Sequence, residues 1–258
     1  MSSVSAPDIQ LIVAPPARRR VPVRFRKTAK RGNTAFGPLV ISKRSRSLLS
    51  QEAFDYLVHI QHAISFSTES TVFVEGQQCR GVFILCEGRA KLSIANSEGR
   101  TLIVRIVGPG EILALNACLT GGLHDMTLET LQPSEFAFIR REDFLEFLNI
   151  HKEAYCLAGE QLIRDYRGTY ELVRSVGLSQ TTAEKLARFL LHSASDSAQN
   201  GVYHLATRLT HDEIGQRIGA TRETVTRILS RLRKKRVIEP SKSGLLIRNM
   251  SALERMIH

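Results

Sequence analysis

The sequence predicts an α+β protein in which a small antiparallel barrel or jelly roll leads into a long helix and ends in a winged helix-turn-helix. Three observations carry this expectation. Between residues 71 and 139 short β-rich runs recur about every ten residues with glycines between them. After Arg140 the apolar spacing lengthens to three, four or seven, the period of a helix. Residues 209–239, LTHDEIGQRIGATRETVTRILSRLRKKRVIE, then read as two short helices joined by a tight turn and followed by strand signals.

Taken in order, residues 1–46 form a basic arm with Arg18, Arg19, Arg20, Arg24, Arg26, Lys27, Lys30 and Arg31 and few large apolar residues. It cannot bury enough surface to offset its ordering entropy and is expected to be disordered. Pro15, Pro16 and Pro22 interrupt the amphipathic helix that an organelle-targeting segment would form. The arm either adds non-specific attraction for phosphate or lies upstream of the true start.

A helix is expected from Ser50 to Ile64, where Phe54, Leu57, Val58 and Ile60 recur at helical spacing. The strand runs are TVFVEG (71–76), GVFILCEG (81–88), AKLSIA (90–95), TLIVRIV (101–107), EILAL (111–115), MTLETL (126–131) and EFAFI (135–139), with a hairpin turn at Asn96-Ser97-Glu98-Gly99. A helical stripe follows through Phe144, Leu145, Leu148, Tyr155, Leu162, Tyr166 and Val173, long enough for a dimer seam or for packing on the barrel. An amphipathic helix at 182–192 and a polar surface loop at 193–201 complete the middle. The expected division is therefore arm 1–46, barrel 47–145, dimerisation helix 146–177 and winged helix-turn-helix 178–258.

Composition narrows the function. With 43% hydrophobic and 24% charged residues and a mean hydropathy of −0.11, neither wholesale disorder nor a membrane bundle fits. Cys79, Cys86, Cys118 and Cys156 are too scattered for a disulfide framework or a zinc ribbon, which points to a reducing cytoplasm. His59 and His62, three apart on the expected helix, are a possible metal pair without further ligands; no metal site is expected. No Ser/His/Asp order, metal triad or phosphate loop argues for an enzyme. The net charge of +11 is bipolar: residues 1–50 hold 11 Lys and Arg against Asp8 alone, and residues 205–258 hold 12 against 5 acids. Both ends suit a nucleic-acid partner.

The helix-turn-helix segment carries the chemistry. Thr210 and Glu213 form a capping box, Ile214 and Ile218 face inward, Gly219 turns the chain, and Thr221 caps a second helix. Val225, Ile228, Leu229 and Leu232 form its apolar stripe. Arg222, Glu223, Thr226 and Arg227 remain on the outer face of its first two turns, where a recognition helix meets base edges. Arginine can donate twice to guanine O6 and N7, and glutamate can accept from cytosine N4. Thr210, Thr221, Thr224, Lys234 and Lys235 are candidate phosphate contacts, as is Lys242 at the tip of a wing spanning 237–247.

LTHDEIGQRIGATRETVTRIL closely resembles the recognition segment of the cyclic-AMP receptor protein and Fnr (Crp/Fnr) superfamily of bacterial transcription regulators. The resemblance covers about residues 50–258. It implies a cyclic-nucleotide-binding-like jelly-roll sensor, a dimerisation helix, and a homodimer on a two-fold symmetric operator. It also implies that Arg222, Glu223 and Arg227 occupy base-contacting positions and that Thr226 sits where a small polar contact is common. RNA polymerase is an implied partner.

The sequence departs from the family at its phosphate cassette. By gapless alignment Leu115 stands at the cassette's glutamate, and Asp125 and Met126 at its arginine and serine, with no Arg between 106 and 139. A carboxylate there repels a cyclic phosphate, so cyclic AMP binding is not expected. An iron-sulfur cluster is not expected either, because no cysteine precedes Cys79. Cys79, Cys86 and Cys118 are read as small core residues that can still meet in the fold. No cofactor is therefore assigned and the effector is left unknown. The function expected is sequence-specific regulation by a cytoplasmic homodimer, without membrane attachment. The alternative is an architectural DNA binder that relies on the basic arm.

Overall fold

The computed structural model describes residues 39, 41–195, 198–199, 202–205, 209–241 and 244–257. The arm over residues 1–38, Lys242, and part of the expected loop at 193–201 lie outside the described residues.

Helices α1 (Lys43–Ser47) and α2 (Gln51–Ile60) precede strands β1 (His62–Phe66), β2 (Thr71–Phe73), β3 (Gly81–Glu87), β4 (Ala90–Ala95), β5 (Thr101–Val107) and β6 (Ile112–Leu113). A short helix α3 (Leu115–Thr120) then leads to β7 (Thr127–Thr130) and β8 (Ser134–Arg140). These strands make two four-stranded antiparallel sheets, ordered β1-β8-β3-β6 and β2-β7-β4-β5, which is the expected jelly roll. Leu85, Leu92, Val107, Leu113, Leu128 and Phe136 fill the space between them. Each such side chain, fully buried, contributes about 1.5–3 kcal/mol. The β4–β5 hairpin turns where expected: Asn96 Oδ1 accepts from the backbone N–H groups of Glu98 (3.1 Å) and Arg100 (2.9 Å), and Gly99 takes φ +79°.

Four local expectations are corrected. The helix predicted to Ile64 stops at Ile60, because residues 62–66 pair with β8 and bury Ile64 against Phe136; sheet pairing overrides the helical spacing. His59 and His62 therefore sit on different elements rather than one helix face. EILAL yields only a two-residue strand, since Ala114 turns left-handed (φ 64°) and opens α3. The near end of the basic arm is folded: Leu39 and Ile41 are buried, and Ile41 bridges to Gly110. Gly110, at φ +87°, must be glycine here, since a Cβ would stand 2.7 Å from the Ser42 nitrogen.

The stripe from Phe144 to Val173 runs over two helices, α4 (Arg141–Ile150) and α5 (Ala154–Leu178). The chain breaks helical geometry at His151 (φ −107°, ψ 86°), whose buried ring packs on Tyr56 and Phe147. On α5 the barrel side buries Leu157, Ala158 and Gln161 while Tyr155, Ile163, Tyr166, Tyr170 and Val173 remain exposed.

The C-terminal unit comprises α6 (Thr182–Ser195), β9 (Ala198–Gln199), β10 (Val202–Leu205), α7 (His211–Ile218), α8 (Arg222–Lys234), β11 (Ile238–Ser241), β12 (Gly244–Ile247) and α9 (Met250–Glu254). Thus 193–195 are helical and 198–199 form a strand beside β10, where a loop was expected. β11 and β12 pair as the wing, from Ile238↔Ile247 to Ser241↔Gly244.

A polar joint ties this unit to the barrel. Arg217 of α7 donates through Nη1 to the carbonyl of Ile103 (3.0 Å) and to that of Val104, both on β5. Next to it Arg105 pairs with Glu111 and, at 2.7 Å, with Asp165 of α5. Burial raises the Asp165 carboxyl above its ordinary range, against the pull of Arg105 and of the Gln161 amide. Burial and the nearby Arg105 push Arg217 down to about 10, so it is still charged at neutral pH.

The turn between α7 and α8 depends on close backbone approach, since a Cβ on Gly215 would stand 2.6 Å from the Ala220 carbonyl oxygen. Gly215→Ala should destabilise the protein by about 1–3 kcal/mol in urea melts. An unchanged midpoint would show that the turn relaxes freely.

Candidate nucleic-acid interface

The interface is built on α8. Its apolar side, Val225, Leu229 and Leu232, is buried against Ile214 and Ile218 of α7, Leu186 and Leu190 of α6, and Ile238. Thr221 accepts a hydrogen bond from the Thr224 N–H (3.3 Å) and caps the helix. The packing rotates the opposite side outward, and Arg222, Glu223, Thr226 and Arg227 are all exposed within the first two turns. Glu223 is held below the usual carboxylate range by its own backbone N–H, then by the Thr221 hydroxyl and Arg222, so it stands as an ionised acceptor.

Two of the expected polar groups have their hydrogen-bonding capacity partly taken. Thr226 Oγ1 donates to the Arg222 carbonyl (2.9 Å) and lies 2.8 Å from His211 Nδ1. With the hydroxyl proton directed to that carbonyl, the imidazole is the donor in the second bond. Thr210 completes its capping box: its Oγ1 accepts from the Glu213 N–H (3.2 Å), and its own N–H donates to Glu213 Oε2 (2.6 Å). Thr224 is half-buried beside Thr221. What these threonines leave available are the free amides of two helix starts, with their positive dipole ends.

At the far end of α8, Lys234 closes the helix and Lys235 caps it, both exposed together with Arg231, Arg233 and Arg236. Lys234 and Lys235 lie about three turns beyond Arg222 and about two beyond Arg227, so the two ends of α8 face different parts of any bound ligand.

His211 was not anticipated. Its contact with Thr226 spans 15 residues and depends on how α7 and α8 cross, for which the sequence carries only the position just after the Thr210 cap.

In the barrel, Leu115 is buried at the start of α3, and Asp125 Oδ2 accepts from Asn116 Nδ2 (2.7 Å), which fixes a carboxylate beside that helix. The interior is crowded by rings: Phe73 lies 4.1 Å from His124 and 5.6 Å from Phe83, and Phe83 lies 4.8 Å from Phe138, centroid to centroid. Cys79 and Cys118 are buried, with the Cys79 thiol donating to the Gly81 carbonyl (3.3 Å), Cys86 is half-buried and Cys156 exposed. Among the described residues no group of three or more His, Cys, Asp or Glu is arranged to hold a metal ion, and no helix is long and apolar enough to cross a membrane.

Known proteins align with this architecture along most of its length. The family model for the Crp-like helix-turn-helix domain matches residues 184–256, and that for the cyclic nucleotide-binding domain matches residues 63–151. The cAMP-activated global transcriptional regulator CRP of Haemophilus influenzae is 22% identical over 207 residues, 80% of this chain and 92% of that protein. The global nitrogen regulator of Synechocystis is 25% identical over 196 residues, 74% and 86% of the two chains. FixK2 from Bradyrhizobium japonicum has a similar fold, with a TM-score of 0.66 at 21% identity over 77% of this chain and 98% of that one.

Burial, then Arg233 and Arg222, hold the His211 imidazole below its ordinary value. The unfolded ring therefore takes its proton first as pH falls. Stability should drop as pH passes down through about 6.5 and level off below the depressed folded value. An NMR titration should put the His211 midpoint below about 6.5; a midpoint at or above that value would contradict the burial argument.

Proposed function

This chain belongs to the Crp/Fnr superfamily of DNA-binding transcription regulators, and from that premise we propose that it reads a palindromic operator as a homodimer and does so without cyclic AMP. It is a regulator and not an enzyme. The observation that carries the proposal is the division of α8 into a buried apolar side and an exposed side bearing Arg222, Glu223, Thr226 and Arg227. In this reading Arg222 and Arg227 donate to guanine, Glu223 accepts from cytosine, and Thr226 is positioned by His211. The helix starts at Thr210 and Thr221, with Thr224, hold phosphates through their amides, and Lys234, Lys235 and Lys242 supply sequence-independent attraction.

The dimer is supported by the outer side of α5. Ile163, Tyr166, Tyr170 and Val173 are exposed at spacings of three, four and three, the pattern of a helix seam, and such a stripe is stabilised by meeting its own copy. Two heads related by a two-fold axis then meet half-sites about one helical turn, about 34 Å, apart. Independence from cyclic AMP is supported by Asp125, anchored beside α3 where the family's arginine is expected, and by the rings that fill the barrel. Barrel 47–145, dimer helix 146–177 and reading head 178–258 are the proposed division of labour. A cytoplasmic location and contact with RNA polymerase belong to the same reading.

Selection of bound duplexes from a random pool tests it. A recovered palindrome bound about 10³-fold better than random DNA is the expected result; sequences lacking two-fold symmetry, bound no better than random DNA, would favour architectural binding instead. On the selected site Arg222→Ala and Arg227→Ala should each relax preference at one position per half-site at a loss of about 1–3 kcal/mol. Lys235→Ala should weaken all sequences alike and lower the salt slope by about 1. Separately, Tyr166→Glu combined with Val173→Glu should shift the protein to a monomer by sedimentation; a persistent dimer would place the seam elsewhere.

A further inference from the structure

Between the barrel, the long helix and the reading head lies a cleft of about 1180 Å³ that neither the α8 face nor the barrel interior includes. Its lining contains seven arginines. Three of them are engaged: Arg105 with Glu111 and Asp165, Arg188 with Glu184, and Arg217 with main-chain carbonyls of β5. The other four are Arg89, just before β4, and Arg164, Arg167 and Arg174 of α5. Arg164 lies in the field of Asp165, whereas among the described residues the side chains of Arg89, Arg167 and Arg174 form neither an ion pair nor a hydrogen bond. Arg167 and Arg174, seven residues apart, share one side of α5 with Arg164.

Against the seven guanidiniums stand four carboxylates, Glu171 in the lining and Glu111, Asp165 and Glu184 behind it, which leaves a net charge of +3. Partly walled arginines of like charge repel one another through a medium that screens them less than bulk water, so the cleft is stabilised by a counter-anion. Guanidinium groups match phosphate oxygens two at a time, and several phosphates linked together answer several arginines at once. The remaining wall mixes polar residues such as Ser175 and His192 with the apolar Leu172, Phe189 and Leu209, which can receive a flat organic group, and it borders the proposed dimer seam through Tyr166 and Tyr170.

From this arrangement we infer that the cleft is a binding site for a small organic polyphosphate of the nucleoside di- or triphosphate class, held by Arg89, Arg167 and Arg174. DNA is the less suitable occupant, because no residue of α8 lines the cleft; the head's share of the wall comes from α6, α7, Leu209 and Ile257. A bound polyphosphate touches the barrel through Arg89, the dimer helix through Arg167 and Arg174, and the head beside Arg217. It thereby fixes the angle at which the head is carried. The inference does not rest on the operator reading, because binding is measured on the protein alone.

Isothermal titration of the full chain at about 0.15 M salt with ATP, GTP, inorganic triphosphate, cyclic AMP and hexaglutamate tests it. Saturable binding of ATP or GTP is expected, about tenfold or more tighter than that of cyclic AMP, inorganic triphosphate or hexaglutamate. Arg167→Glu combined with Arg174→Glu should weaken ATP and GTP about tenfold or more with an unchanged thermal melt, since both side chains are exposed. Arg89→Ala, on a different element, should weaken them as well and guards against a folding defect in the helix variant. Absence of saturable ATP and GTP binding up to about 1 mM would overturn the inference. So would equal affinity in both variants, cyclic AMP or hexaglutamate binding as tightly as ATP, or a loss confined to operator binding.

Discussion

Everything the reading head can do depends on the burial of one side of α8. Val225, Leu229 and Leu232 lock the helix against α7 and α6, and only because that side has a single place to go does the other emerge with a defined set of side chains. Four polar residues on an unanchored helix would sample all directions, and discrimination between bases requires groups fixed to a fraction of an ångström. The caps at Thr210 and Thr221 and the glycine turn serve the same end, since each limits how α7 and α8 cross. His211 extends that control to the surface by holding Thr226 from the neighbouring helix.

The head is not an appendage on a tether. Arg217 inserts into the barrel's side, next to a cluster in which Arg105 answers carboxylates from β5's own neighbourhood and from the long helix. The long helix shares an apolar core with the barrel through Leu157 and Ala158. The head, with a core of its own, is tied to the barrel by the Arg217 hydrogen bonds, and a polar joint of this kind can exchange partners at modest free-energy difference. The arginine-lined cleft beside the joint supplies charge that can shift such a balance.

Much of this was legible in the sequence, for identifiable reasons. The recognition helices were legible because capping, turn and apolar spacing all act within about twenty residues, and local rules agreed with one another. The jelly roll was legible from regularly spaced β-rich runs, and the wing from its paired strand signals. What escaped notice depended on distant partners. His62–Phe66 became a strand because β8 lies beside it, Ala114 adopted a strained turn that its neighbours do not announce, and the apolar stripe broke at His151 because Tyr56 and Phe147 receive that ring. The cleft was invisible for the same reason, since its arginines come from β5, α5, α6, α7 and the turn before β4. The charge count located basic ends, yet seven guanidiniums also gather where the middle of the chain meets the head.

The acceptors for Arg217 are main-chain oxygens of Ile103 and Val104. Every residue type carries such an oxygen, so replacement of either side chain leaves the docking point intact while the strand keeps its course. The two sides of this contact are thus unequally exposed to mutation: its acceptors survive a change of side chain, whereas its donor is one residue of α7. A lineage could therefore lose these two hydrogen bonds in a single step, and could regain them by restoring one residue.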